Sequence, residues 1–262
     1  MNPGVRRFER VFLLAFFFLA ALFLRLRFLS LGPFHYDALD LARCAQKTLE
    51  TGLLHYEHGT GFPLTVLVGA FFVFVGRILG VTDPVLCVNA MSAFMGALAV
   101  PLLYFVVERL FDRHRAALAA MLLIFFPSHV AISTFGKSLT LSICFVLASV
   151  YFVLRYAQDE SRPLKDLFLS AVFLGLCGAS RLSDLILALP VFSLAVMHEP
   201  RDRQTLARWI TWAAVVLATA AIYYLPLLMG EGLTPFIGVL SDKTQAKFLG
   251  FFSKLLVISF RW

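Results

Sequence analysis

Charge is scarce in this sequence. Asp, Glu, Lys and Arg together supply 15% of the 262 residues, where a soluble domain carries about a quarter. Apolar residues supply 60%, more than a water-exposed fold can hide without aggregating. A soluble globular domain is thereby excluded, and a lipid bilayer becomes the solvent. Several catalytic signatures are also missing. No GxxxxGK[ST] loop is present, which disfavours ATP-driven transport, and the scattered glycines form no dinucleotide fingerprint. No GxSxG, HExxH or Ser/His/Asp ordering stands out. The four cysteines, Cys44, Cys87, Cys144 and Cys177, are isolated and form no CxxC. They read as small core hydrophobes rather than a metal site or a disulfide frame. No small-residue cleavage site follows the N-terminal apolar run; Arg25 and Arg27 follow it instead, so it reads as an uncleaved first transmembrane helix.

What is present is a series of apolar runs separated by short polar loops. One bilayer crossing takes roughly 20 apolar residues. The first run spans Arg10 to Leu29, with an uncharged stretch, Val11–Leu24, of only about 21 Å at 1.5 Å per residue. Arg25 and Arg27 are therefore expected to snorkel near the far interface. Later runs are Phe62–Leu79, Val85–Val107, Ala116–Thr134, Leu139–Tyr156, Leu164–Ala179, Leu185–Val196 and Trp209–Met229. A weaker run, Phe248–Phe260, is interrupted by Lys254. No repeat or low-complexity linker divides the chain. The expected fold is all-α: one polytopic transmembrane helical bundle over residues 1–262, with a C-terminal external loop and partial helix over 230–262.

The longest stretch of mixed polar chemistry is the segment 30–61, expected to be the first external loop. It holds His35, Tyr36, Asp37, Asp40, Arg43, Lys47, Glu50, His55, Glu57 and His58. Within it Ala38–Leu49 has apolar residues at helical spacing, which predicts an amphipathic interfacial helix ended by Gly52.

The net charge of +7 fixes topology rather than recruiting nucleic acid. The N-terminus and the loops Glu108–Arg115, Arg155–Lys165 and Glu199–Arg208 are basic, and the positive-inside rule assigns all four to the cytoplasm. That assignment fails if Phe62–Leu79 spans fully. The run is therefore expected to be re-entrant or to lie in the outer leaflet, with Gly61 and Pro63 making the bend. About seven crossings then precede residue 230, with the N-terminus cytoplasmic in a bacterial-type cytoplasmic membrane. This topology gathers three polar spots at the external face: His35–Asp40, the Ser133–Ser138 turn with Lys137, and the Ser180–Asp184 turn with Arg181. Ionisable groups converging at a membrane face mark a functional site by default.

The stretch FLRLRFLSLGPFHYDALDLARCAQKTLETG resembles the first external loop of the C-type (GT-C) glycosyltransferases. That superfamily includes protein mannosyltransferases, lipid A aminoarabinose transferases and oligosaccharyltransferase catalytic subunits. The shared order is an Arg ending the first helix (Arg25), an acid (Asp37), an amphipathic helix ending in Gly (Ala38–Thr51, Gly52), and a Pro-containing apolar segment (Gly61 to Leu64). FFPSHVAISTFGKSLTLSICFVLASVYFVLRYA is similar to the family's Pro-to-second-loop region, and GLCGASRLSDLILALPVF to its paired short helices ending in Pro. The resemblance covers Phe23 to Pro226 and implies sugar transfer from a polyprenyl-phosphate-linked donor to an acceptor at the external face. It differs in two places. Many members carry a second acid directly after the first, where this chain has Ala38, and many place an acid in the second external loop, where it reads Thr134-Phe135-Gly136-Lys137-Ser138. It resembles the N-terminal membrane module of longer enzymes, and a non-catalytic scaffold or lipid-binding subunit with a protein partner is the alternative reading.

The resemblance assigns Asp37 as catalytic acid-base or metal ligand, against an ordinary helix N-cap. Asp40, three residues on, shares its helical face as a second catalytic candidate, against a solvated surface. Lys137 and Arg181 are candidates for the donor phosphate, as are Arg25 and Arg27, because guanidinium forks and ammonium groups suit phosphate oxygens. Snorkelling is the competing account of Arg25 and Arg27, and an Arg181–Asp184 ion pair that of Arg181. His35 and Tyr36 are placed as substrate-lining or interfacial side chains, and His129 as a packed one. The residues name no certain cofactor, and a divalent metal is the one candidate. A divalent metal would be held through Asp37 and a substrate phosphate, while His55, Glu57 and His58 resemble ligands only by residue type. The expected partners are membrane lipids and the polyprenyl-phosphate sugar.

Overall fold

The computed structural model describes residues 3–55, 62–159, 161, 163–187, 190, 191, 193 and 203–231. Its elements, in chain order, are α1 (Pro3–Arg27), α2 (Tyr36–Thr51), α3 (Pro63–Ile78), α4 (Pro84–Leu110), α5 (Arg113–Phe125), α6 (Pro127–Ile132), α7 (Leu139–Gln158), α8 (Leu164–Ser180), a 3-10 turn (Leu182–Leu187) and α9 (Arg203–Glu231). No strand occurs among the described residues, so the all-α expectation holds. Among them, α4, α7 and the Arg203–Pro226 part of α9 are long and apolar enough to cross a membrane. The weak final run and the Glu57/His58 pair lie outside the described residues.

Helix α4 is the centre of the bundle and packs on α1, α2, α3, α5 and α7. Its small residues explain this, because they let neighbouring backbones approach. Ala97 and Val100 meet Phe17 and Ala21 of α1 and Ala116 and Ala120 of α5, while Val88 and Met91 meet Ala45 of α2 and Ala70 and Val73 of α3. A second core joins α7, α8 and α9 through Val153, Leu174, Trp209 and Trp212.

One run that reads as continuous is broken, and another begins irregularly. Ala116–Thr134 splits into α5 and α6 at Phe126, whose ψ of 113° is extended. Proline at 127 disfavours helical geometry in the residue before it and brings no N–H to the ladder. Leu185–Val196 begins within the 3-10 turn Leu182–Leu187.

Contacts sort the helix ends into two sets. In the first, Arg10 of α1 pairs with Glu108 of α4, and Arg113 Nη1 lies 3.6 Å from Glu9. Gln158 of α7 donates to the Arg109 carbonyl at 2.8 Å. Arg155 meets Asp166 of α8 at 3.1 Å, and Arg208 of α9 donates to the Tyr156 hydroxyl at 3.5 Å. The start of α1, the α4–α5 and α7–α8 turns and the start of α9 thus share one basic end. The second set joins the segment after α1, the start of α4, the α6–α7 turn and the end of α8. Here Ser30 N donates to the Thr134 carbonyl at 2.9 Å, and the Thr65 hydroxyl to that of Ser180 at 3.0 Å.

Both ends of α3 belong to the second set. Thr65, in its first turn, meets Ser180. Gly76, in its last turn, lies against Cys87 in the first turn of α4, so closely that a Cβ there would sit 2.4 Å from the sulfur. Its neighbour Arg77 binds Glu50 of α2 at 2.8 Å. The sixteen residues of α3 span about 24 Å, short of the roughly 30 Å hydrocarbon core.

Candidate functional site

Helix α2 carries the two acids. Its inner face, Ala38, Leu41, Ala42, Ala45 and Thr48, follows the i, i+3, i+4, i+7 spacing of an amphipathic helix. Gly52 ends it in the left-handed region at φ 71°, where glycine carries no steric cost. The N-cap is His35, whose ring accepts the Asp37 N–H, so Asp37 is not the cap that its residue type suggests. Its carboxylate instead lies 3.4 Å from His35 Nδ1 and 3.7 Å from Lys137 Nζ. Three residues on, Asp40 is only 4% exposed.

A cleft of about 140 Å³ opens here, lined by Asp37, Asp40, Leu41 and Cys44 of α2, Phe62, Thr65 and Val66 at the start of α3, Lys137 and Ser138 before α7, and Arg181 after α8. Three segments far apart in sequence therefore deliver two acids and two bases to one concavity. Phe62 enters α3 with φ 70°, a left-handed conformation uncommon for a bulky residue and often found near functional sites.

The bases are held by different means. The hydroxyl of Ser92 on α4 accepts the Lys137 N–H at 3.0 Å and donates to the Lys137 carbonyl at 3.3 Å. The ammonium also lies 5.8 Å from the Phe135 ring centroid. Arg181 turns its Nε toward Ser183 Oγ at 3.0 Å and Asp184 Oδ1 at 3.4 Å, so the ion pair weighed for it is present alongside its place in the cleft. Asp184 accepts in turn from Ser142 and Ser183. The Lys137–Asp37 contact joins side chains that are 26% and 41% exposed. Such half-wet pairs contribute about 0–1 kcal/mol, so an incoming anion can compete for the lysine.

The remaining candidates lie elsewhere. Arg25 is fully buried and outside the cleft lining; it donates to the Ala21 carbonyl at 2.9 Å and to His129 Nδ1 at 2.6 Å. Snorkelling does not describe a guanidinium enclosed in this way. Arg27 and Tyr36 are exposed, as is His35. Among the described residues no group of three or more His, Cys, Asp or Glu side chains is placed to hold a metal ion. Two carboxylates line the cleft, and they fit a hard cation only with further oxygens from a substrate.

Sequence reasoning missed the residues that support the site: Asn89, Ser92, Thr65 and Ser142. The available signal was a polar side chain inside an apolar run, which at membrane depth asks for a partner.

A search of curated proteins finds no match to this chain. A family profile described as dolichyl-phosphate-mannose-protein mannosyltransferase matches residues 65–229. That span is well over half of the chain. It contains Lys137 and Arg181 and leaves Asp37 and Asp40 outside it. With the apolar helices of the bundle, it makes this an integral membrane protein of the GT-C glycosyltransferase type, and the chain belongs to the dolichyl-phosphate-mannose-protein mannosyltransferase family.

Proposed function

We propose that the chain transfers a sugar from a polyprenyl-phosphate-linked donor to an acceptor at the external membrane face. The observation that carries this reading is the single cleft shared by Asp37, Asp40, Lys137 and Arg181, at the end of the bundle away from its basic turns. By the positive-inside rule the basic end is cytoplasmic and the cleft external. Both ends of α3 lie on the cleft side, which supports reading that helix as one that does not cross; the seven crossings expected from charge stay part of this proposal.

In the proposed reaction the donor diffuses laterally and its phosphate meets Lys137 and Arg181. The acceptor oxygen attacks the anomeric carbon while the bond from that carbon to the phosphate oxygen breaks. Lys137 and Arg181 stabilise the charge left on the phosphate. When phosphate takes Lys137, Asp37 is released from its pair and receives or orients the acceptor proton. Asp40, deeper in the cleft, adds negative potential beside the developing positive charge on the sugar. Arg27 faces headgroups, and the exposed His35 and Tyr36 precede Asp37 outside the cleft lining. A divalent cation, if used, would bind Asp37 and Asp40 together with phosphate oxygens.

Two observations favour a second reading, a non-catalytic subunit that binds lipid or a protein partner. Asp37 already has Lys137 within 3.7 Å, and the next residue is Ala38. Native mass spectrometry of the purified protein, followed by a transfer assay, separates the two. Bound polyprenyl-phosphate lipid on the wild type, lost in the Lys137→Ala/Arg181→Ala double variant, together with sugar transfer that Asp37→Asn lowers, supports the enzyme. Bulk phospholipid alone, or a co-purifying protein, supports the subunit.

A further inference from the structure

We infer that Asn89 is a positioning residue that sets the spacing between the Asp37 segment and the Lys137 turn; its consequence for the reaction rests on the function proposed above. Asn89 lies in the second turn of α4 and is fully buried. Its Nδ2 donates to the Ser30 carbonyl at 2.8 Å and to the Gly32 carbonyl at 3.3 Å. Its Oδ1 accepts the Gly136 N–H at 2.6 Å. The orientation of the amide is fixed by its partners. A flipped group would set NH₂ against an N–H and oxygen against two carbonyls.

One side chain therefore ties together two loops from opposite parts of the chain. Residues 30–32 lead into α2 and Asp37. Gly136 directly precedes Lys137. The two loops also touch each other, through Ser30 N on the Thr134 carbonyl and through the rings of Phe34 and Phe135, whose centroids lie 5.3 Å apart. The turn rests directly on α4, since a Cβ added at Gly136 would fall 2.7 Å from Val88 Cγ2. Ser92, nearly one turn further along α4, grips both backbone groups of Lys137. Lys137 and Asp37 stand on different segments, and both segments are referenced to Asn89. Without the amide, the carbonyls of Ser30 and Gly32 and the N–H of Gly136 lose their shared partner, and buried backbone polar groups must find others. The loops then separate, while the α4 core beneath them, built from Val88, Met91 and their neighbours, is untouched.

The test uses the full chain in detergent with Phe34→Cys and Phe135→Cys introduced as reporters. Crosslinking by a short bismaleimide is read by peptide mass spectrometry, and a sample without the reporters controls for the four buried native cysteines. Binding of undecaprenyl phosphate is read by native mass spectrometry on the same proteins without reporters. Asn89→Leu removes all three hydrogen bonds. Asn89→Asp keeps the shape and the acceptor for Gly136 but loses the donors. In both, the crosslink yield and the affinity for the probe are expected to fall at least about fivefold, the shift that a lost hydrogen bond of about 1 kcal/mol produces. Lys137→Ala is expected to weaken probe binding and leave the crosslink intact. An unchanged crosslink in a folded Asn89 variant overturns the inference. So does a fall in crosslinking that Asn89→Asp shows only together with a matching loss of melting temperature, because that is the behaviour of a residue that merely holds the core. A wild type that never binds the probe, with crosslinking still dependent on Asn89, removes the donor reading and leaves the clamp standing.

Discussion

The guanidinium of Arg25 donates to Nδ1 of His129 at 2.6 Å, in a bundle interior where both side chains are at most 5% exposed. A guanidinium can only donate, so Nδ1 must be the accepting nitrogen and His129 is neutral in this contact. The pair joins the end of α1 to α6, one short turn before Lys137. Gly96 of α4 makes the room, because a Cβ there would lie 3.0 Å from Arg25 Nε and 2.2 Å from Ser133 Oγ.

Replacing His129 with Leu strands a buried charge. Hydrogen bonds to charged groups contribute about 1.5–3 kcal/mol, and the expected loss of stability is about that size. The double variant Arg25→Met/His129→Leu, which removes the charge as well, is expected to recover much of the loss, since apolar replacement of a buried polar pair is often tolerated. Reversible unfolding in mixed micelles measures both. A double variant no better than His129→Leu alone would mean that Arg25 itself holds the bundle.

Asp37→Asn is expected to lower sugar transfer by roughly 100-fold or more, the usual contribution of a positioned acid or base, with no change in melting temperature because Asp37 is half exposed. Asp40→Asn has a different expected signature. That side chain is 4% exposed and its replacement should move both activity and stability. The check is a transfer assay on purified protein alongside thermal unfolding; full transfer by Asp37→Asn would remove its assigned role.

Lys137→Ala and Arg181→Ala are expected to weaken binding of a polyprenyl phosphate about tenfold each, the equivalent of about 1.4 kcal/mol per lost charged contact. Asp37→Ala should have the opposite effect on binding, a gain of a few-fold, because it frees Lys137 from its competing pair. Titration of the probe at low and high salt measures all three. Loss of binding on Asp37→Ala would place the carboxylate among the groups that hold the donor.

Much of this was legible from residues alone. Ala38, Leu41, Ala42 and Ala45 repeat at helical spacing and Gly52 follows, so α2 was readable to within two residues of its Tyr36–Thr51 bounds. Lys137 and Arg181 stood out because charge beside apolar runs is costly, and the structure brings both to the cleft. Other features were not legible. Asn89 is a single amide in an apolar run, and its partners Ser30, Gly32 and Gly136 are backbone groups with no sequence signature. Arg25 looked like an interfacial cation because nothing local says that Gly96 clears a pocket beside it. Asp37 looked like a cap because the competing acceptor, the His35 ring, is rarer in that role than Asp. Pro127 did carry a visible break signal within an apolar run.

Helices α8 and α9 meet at Gly175, where a Cβ would lie 2.7 Å from the Val216 carbonyl oxygen and 2.5 Å from Thr219 Cβ. Backbone cannot yield as a flexible side chain can, so Gly175→Ala is expected to force the helices apart at a cost of about 1–3 kcal/mol. Gly32→Ala, where a Cβ would meet nothing within 4 Å, serves as the silent control. Thermal unfolding compares them.

The ion pair between Glu50 of α2 and Arg77 of α3 supplies a pH test of how these two helices are held. Hydrogen bonds from Gln46 and Arg77 keep the Glu50 carboxyl below its ordinary value. A carboxylate with a lowered pKa in the folded state contributes its stability in full above the ordinary value, and the contribution fades as pH falls through the lowered one. Glu50 is solvent-exposed, so the effect is small and screened by salt. Arg77→Ala is expected to raise the Glu50 pKa and to make hydrogen exchange in the last turn of α2 less dependent on pH as the pH falls below the ordinary carboxylate value. An unchanged exchange profile would mean that α3 is fixed by Gly76 against Cys87 and by its apolar face alone, with Arg77 contributing only surface charge.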